Sequence, residues 1–149
     1  MGAICNGIAA YGGLKPFCST FLNFVEYCFP AVRLSALSHH PVCYVMTHDS
    51  IGLGEDGPTH QPIEAIPAMR AMPNLAVWRP ADGNEVNAAY LSWAQSTKQP
   101  YVLCLSRQGV PNLPNSSVEH ALHGAYVVRQ ETEALQIVLV ATGSEVGLA

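Results

Sequence analysis

Apolar residues recur along the first two-thirds of the chain with two alternating periods. Ile4, Ile8 and Tyr11 fall on one side of a helical stripe dense in small residues, which Gly12-Gly13 ends. Lys15–Thr20 predicts a short strand. Phe21, Phe24, Val25, Phe29, Val32 and Leu34 then follow helical spacing over Phe21–Leu37, where Pro30 is expected to kink or break the helix. Pro41 opens the run Val42–Met46, solidly apolar as in a strand buried on both faces. Beyond a polar, glycine-rich stretch, His48–Gln61, the pattern predicts a helix over Ile63–Met72, a strand over Leu75–Trp78 and a strand over Tyr101–Leu105. Between those two strands a helix is expected over Asn84–Gln95, behind an Asp82/Asn84 cap. Gln108–Ser117, with Pro111, Pro114 and clustered Asn and Ser, reads as a linker. Two more strands are expected at Ala125–Arg129 and Gln136–Ala141.

Strands alternating with helices predict a parallel α/β sheet joined by crossover helices. Ligands of such sheets bind beyond the carboxyl ends of the strands, and His48 and Arg107 both lie just past strand ends. The sheet reads as unfinished, because the chain starts inside a helix and nothing follows Gln136–Ala141 to cover it. The expectation is an internal segment, incomplete at both ends.

With 149 residues the chain has the size of one domain. Only 12% of residues are charged, about half the usual 25%. Disorder from excess charge is thereby excluded, and much of the exterior is expected to lie against other protein. The net charge is −4, without the clustered cations a nucleic-acid binder needs. Apolar runs such as Ile137–Ala141 fall far short of the roughly 20 residues of a membrane helix. No basic region followed by an apolar run stands at the start, so no secretory signal is expected there, and Asn6 stands where N-myristoylation requires Ser or Thr. Five cysteines without a C-x-x-C pair read as reduced, buried thiols of a cytoplasmic protein.

The chemistry concentrates in Thr47-His48-Asp49-Ser50-Ile51-Gly52-Leu53-Gly54-Glu55-Asp56-Gly57-Pro58-Thr59-His60-Gln61-Pro62. Two imidazoles and three carboxylates follow a buried strand, on a backbone that three glycines allow to turn sharply. Gly52, Gly54 and Gly57 match the dinucleotide fingerprint, but Glu55 and Asp56 would put two negative charges into its pyrophosphate cradle, and Pro58 would remove a donor. His48 and His60 lack any spacing that selects a metal. Phe21, Phe24 and Tyr27, at i, i+3 and i+6, share one helical side.

This loop resembles the signature loop of transketolases, thiamine-diphosphate enzymes that move two-carbon units between sugar phosphates. The resemblance extends to Met1-Gly-Ala-Ile4, Thr20-Phe-Leu-Asn-Phe-Val-Glu-Tyr27, Arg79-Pro-Ala-Asp82, Leu105-Ser-Arg-Gln108 and Ala141-Thr-Gly-Ser-Glu145. Dihydroxyacetone synthases, close relatives, share the loop. The resemblance implies a thiamine-diphosphate (pyrimidine-type) domain over residues 1–110 lacking its first strands, a linker over 111–124, and the start of the C-terminal domain over 125–149. It makes Phe24, with Phe21 and Tyr27, the pocket for the aminopyrimidine ring. His48 and Arg107 become contacts to the substrate phosphate, and Asp56 an acceptor for sugar hydroxyls. His60 becomes the catalytic histidine beside the reacting carbonyl. The activating glutamate of the family lies just before the segment matching Met1-Gly2, and Glu26 and Glu64 are poor substitutes for it. Thiamine diphosphate is the implied cofactor, with a divalent metal (Mg²⁺) held by a domain outside this sequence. Sugar phosphates and a second identical subunit are the implied partners, with no nucleic acid and no membrane. A reading from another class is a non-catalytic truncated relative that binds or regulates a complete subunit.

Overall fold

The computed structural model describes residues 1–149. Four strands form one sheet: β1 (Phe17–Phe21), β2 (Cys43–Thr47), β3 (Ala76–Trp78) and β4 (Tyr101–Cys104). All pairs are parallel, in the order β1-β2-β4-β3. The central strands β2 and β4 are the solid apolar runs, because both of their faces are covered. On one face Val42, Tyr44, Met46, Val102 and Cys104 meet α1 (Gly2–Tyr11), α2 (Val25–Leu37) and α3 (Ala65–Arg70), through Cys5, Val25, Val32, Ala65 and Met69. On the other face Cys43, Val45, Tyr101 and Leu103 pack on Ala89 and Trp93 of α4 (Gly83–Gln95). The polar atoms in this packing are paired. Tyr44 donates to Asn6 at 3.0 Å, Asn6 to the Ala31 carbonyl at 2.8 Å, and Trp93 Nε1 to the Pro41 carbonyl at 2.9 Å.

Several predicted boundaries move. The first strand is shifted to Phe17–Phe21, so Phe21 ends a strand instead of opening a helix. A 3₁₀ turn, Leu22–Phe24, leads into α2, which runs unbroken through Pro30. The bond that Pro30 forfeits would reach only the first turn of α2, and burial of Val25, Val32 and Ala36 carries the helix past it. The helix expected over Ile63–Met72 shortens to α3, flanked by Pro62 and Pro73. Of the two cap candidates Asp82 is used, accepting from Glu85 N at 3.0 Å, while the Glu85 carboxylate reaches back to Ala81 N at 2.7 Å. A short helix, α5 (Val118–Ala121), stands in the expected linker, capped by Ser117.

The strands expected at Ala125–Arg129 and Gln136–Ala141 do not form. Their composition suits a strand, but β1 and β3 end the sheet elsewhere and no neighbour accepts their backbone bonds. Ile137–Val140 lies in solvent, Val140 at 90% exposure. No helix is long and apolar enough to cross a membrane.

Candidate active site

The register of the sheet begins the site. Phe21 pairs with Thr47, so the residue after β2 emerges beside the Phe21 ring. His48 leaves the strand in the left-handed region (φ 60°) and stacks on Phe21, ring centroids 3.7 Å apart and 19° from parallel. Its Nδ1 lies 3.0 Å from Thr47 Oγ1. Asp49 turns inward, 3% exposed, and accepts a 2.7 Å bond from Arg79 Nε, just past β3. The same guanidinium reaches the Thr142 carbonyl at 3.3 Å and the Glu145 carboxylate. Burial alone would lower the Arg79 pKa, but the bonds to Glu145 and Asp49 raise it. Burial likewise opposes ionisation of Glu145, and Arg79 nonetheless holds it below the usual carboxylate range. Gly143 (φ 63°) donates to the Arg79 carbonyl at 2.9 Å, and a Cβ there would lie 2.9 Å from the Arg79 side chain.

The loop then folds back on itself. Ser50 accepts from Gly52 N at 3.2 Å, capping a 3₁₀ turn over Ile51–Leu53. A Cβ on Gly52 would fall 2.7 Å from the Gln108 side-chain amide, so the loop after β4 lies close against this turn, and a larger residue there would have to displace the end of Gln108. Asn23 Nδ2 donates to the Thr59 carbonyl at 2.7 Å and draws the far arm toward the turn before α2. That returns His60 to the aromatics, edge-on to Phe24 (5.2 Å, 80°) and to Phe21 (6.4 Å, 69°). His60 Nδ1 is 2.8 Å from Thr59 Oγ1.

Phe21, Phe24 and Tyr27 form a ladder with successive centroids 6.1 Å apart, although one belongs to a strand, one to the 3₁₀ turn and one to α2. Phe24 and Tyr27, 88% exposed, line a cleft of about 250 Å³ together with Met1, Gly2, Cys18 and Cys28. One aromatic wall, an open side and small residues opposite suit a flat heteroaromatic ring. Asp56 and Arg107 stand differently. Both are exposed, and neither side chain makes an ion pair or a hydrogen bond. Glu26 and Glu64 lie outside the cleft lining and adjoin each other, the Glu64 carboxyl raising the pKa of Glu26. Asn23, Gln108 and the Asp49–Arg79 pair also shape the site, beyond the residues that motif and spacing single out. For Asn23 the signal was a polar residue inside an aromatic run.

The fold and this cleft define a parallel α/β domain with an open aromatic cleft at its edge and a histidine-bearing loop beside it. Residues 1–112 match the family model described as transketolase, pyrimidine binding domain, and the chain belongs to that family. It is 58% identical to transketolase 1 of Candida albicans over 150 aligned positions, covering 100% of this chain and 22% of that protein. A Pichia stipitis transketolase structure, in complex with sedoheptulose 7-phosphate, superposes with a TM-score of 0.96 at 59% identity over 99% of this chain and 22% of that one. A split-gene transketolase solved as an inactive β4 tetramer matches at 32% identity and a TM-score of 0.61, over 76% of this chain and 37% of that one. The chain therefore spans about a fifth of the length of these curated relatives.

Proposed function

We propose that this chain is the pyrimidine-binding segment of a transketolase, which transfers a two-carbon ketol unit from a ketose phosphate to an aldose phosphate in the pentose phosphate pathway. Residues 1–110 form that domain, 111–124 the linker, and 125–149 the opening of the C-terminal domain. The complete protein works in the cytoplasm as a homodimer with thiamine diphosphate and Mg²⁺, the metal ligands lying in the rest of the polypeptide. The observation that carries the reading is the convergence of His48 and His60, 12 residues apart in the loop, on Phe21 beside the cleft of Phe24 and Tyr27. When bound, thiamine diphosphate supplies a nucleophilic carbon and an electron sink for cleaving the bond next to a ketose carbonyl.

The residues of the chain do the rest. Phe24 and Tyr27 hold the pyrimidine ring, each good aromatic contact adding about 0.5–1.5 kcal/mol beyond area burial. His60, fixed by Thr59 and the Phe24 face, bonds the oxygen of the reacting carbonyl and moves its proton. Asp56 accepts from sugar hydroxyls. Arg107, unpaired and exposed, offers its fork to the substrate phosphate, and His48 closes the other side. The inactive split-gene relative accords with a segment that needs its complement.

The test is Arg107→Ala in the complete enzyme. The KM for phosphorylated substrates should rise by about 2 kcal/mol, some 30-fold, as a charge-assisted bond is lost, with much less change for unphosphorylated ketoses. An equal loss for both substrate classes removes the assignment.

A further inference from the structure

One guanidinium joins three parts of the chain. Strand β4 lies between β2 and β3, so residues just past β2 and β3 stand about 10 Å apart, two strand spacings. Arg79 spans that gap across the carboxyl end of β4. Its Nε donates to Asp49 at 2.7 Å, in the residue next to His48. Its Nη1 serves the C-terminal segment: the Thr142 carbonyl at 3.3 Å, the Thr142 hydroxyl at 3.4 Å and the Glu145 carboxylate. The Arg79 and Asp49 side chains are both largely buried, so neither charge has water to fall back on.

Gly143 closes on this side chain. It is buried at φ 63° and donates to the Arg79 carbonyl at 2.9 Å, which locks the two backbones together. A Cβ there would lie 2.9 Å from Arg79 Cγ and 2.9 Å from Nε, the atom bonded to Asp49. A side chain free at its far end would swing aside. This one is held at that end by Asp49 and Glu145, so room for a Cβ is made at the expense of the Asp49 bond. The turn after Asp49 follows, because Ser50 accepts from Gly52 N through its hydroxyl and from Leu53 N through its carbonyl, both at 3.2 Å.

We propose that Arg79 is a positioning residue through which the Thr142–Glu145 segment sets the placement of His48, so that Gly143 governs the grip on phosphorylated substrate. The link to substrate rests on the phosphate role of His48 proposed above.

The experiment compares variants of the complete enzyme by steady-state kinetics and by amide exchange. Gly143→Ala should raise KM for phosphorylated ketoses about tenfold, while kcat and the KM for unphosphorylated ketoses stay within about twofold. Exchange at Gly52 and Leu53 should quicken about fivefold, while Gly83–Gln95 keeps its rate. Alanine at positive φ also strains the backbone. The Arg79→Ala/Asp49→Asn background separates the two effects, because the strain persists there and the collision does not. In that background Gly143→Ala should change KM and loop exchange less than about twofold. Glu145→Gln, which alters neither backbone nor volume, should give the same signature at about two- to threefold, and it decides alone should Gly143→Ala fail to fold. An undiminished effect in the double background, or an unmoved loop in both Gly143→Ala and Glu145→Gln, overturns the inference. If the loop loosens and the KM for phosphorylated ketoses does not move, the Arg79 linkage stands and the phosphate role of His48 falls.

Discussion

At the scale of single residues, the conformation of His48 depends on what its neighbour does. A non-glycine residue at φ 60° is held at a cost of about 1 kcal/mol. Stacking on Phe21 and burial of the adjacent Asp49 offset that cost. Asp49 has one carboxylate oxygen on Arg79 and the other, Oδ1, buried without a partner. Removing the guanidinium by Arg79→Ala would leave a whole charge buried, which costs about 3–5 kcal/mol. The expected outcome is a lower melting temperature together with weaker binding of phosphorylated substrate, because His48 loses its support. Adding Asp49→Asn to Arg79→Ala should restore part of the stability, since the uncompensated charge is gone, whereas Glu145→Gln alone should cost at most about 1 kcal/mol at its half-exposed end. A double variant no more stable than Arg79→Ala would show that the damage comes from lost packing. None of this was legible from the chain, in which Asp49 and Arg79 stand 30 residues apart without a linking pattern. The density of His, Asp and Gly around His48 and His60, by contrast, marked the loop at once.

At the scale of elements, legibility followed local periodicity and failed where a neighbour decides. The buried strands β2 and β4 were readable because their apolar runs reflect coverage on both faces. The Phe21–Phe24–Tyr27 ladder was found for the wrong reason. Its spacing reads as one helix, whereas a strand end, a 3₁₀ turn and a helix start bring the rings together. Gln136–Ala141 shows the opposite failure, an element with strand composition and no strand to pair with. The start of α4 was legible through its cap, and its full strength appears only in three dimensions. Asp82, 1% exposed, accepts from Glu85 N, from Leu113 N at 2.9 Å and from the Ser116 hydroxyl. Burial opposes its charge, but those donors, Ser116 foremost, bring its pKa below the ordinary 3.8. A carboxylate with a depressed folded pKa stabilises at pH values above its unfolded pKa, and that contribution fades as pH falls through the folded one. Asp82→Ala should therefore cost about 2–4 kcal/mol at neutral pH, seen as faster amide exchange over Gly83–Gln95 and over Leu113–Ser116. The gap to the wild type should narrow steadily below about pH 4. A gap that stays constant into acid would mean that the carboxylate charge contributes nothing to the cap.

At the scale of the molecule, the low charge content and the shape of the sheet point the same way. β1 and β3 are both edge strands with unpaired backbone groups, and β1 carries an exposed Phe17. Beside it α1 presents Ile4, Leu14 just beyond its end, and Tyr11 at 92% exposure, while α2 adds Leu34 and Leu37. Scattered apolar residues on a surface are ordinary, but a set of this size next to an open strand edge marks a face built to be covered. The cleft lies on that same side, lined by Met1, Gly2, Phe24 and Tyr27. If the proposed function holds, whatever covers the face also completes the walls of the cleft, and assembly and ring binding are coupled. The isolated chain should therefore bind an apolar dye and self-associate, and it should give no ketol transfer with thiamine diphosphate and Mg²⁺. Adding the remainder of the polypeptide should suppress dye binding and restore turnover together, because one surface governs both. Turnover by the isolated chain, or loss of dye binding without any gain in activity on complementation, would separate the two and break the coupling. A monomer that stays dye-free on its own would further show that the exposed residues of α1, β1 and α2 do not act as one patch.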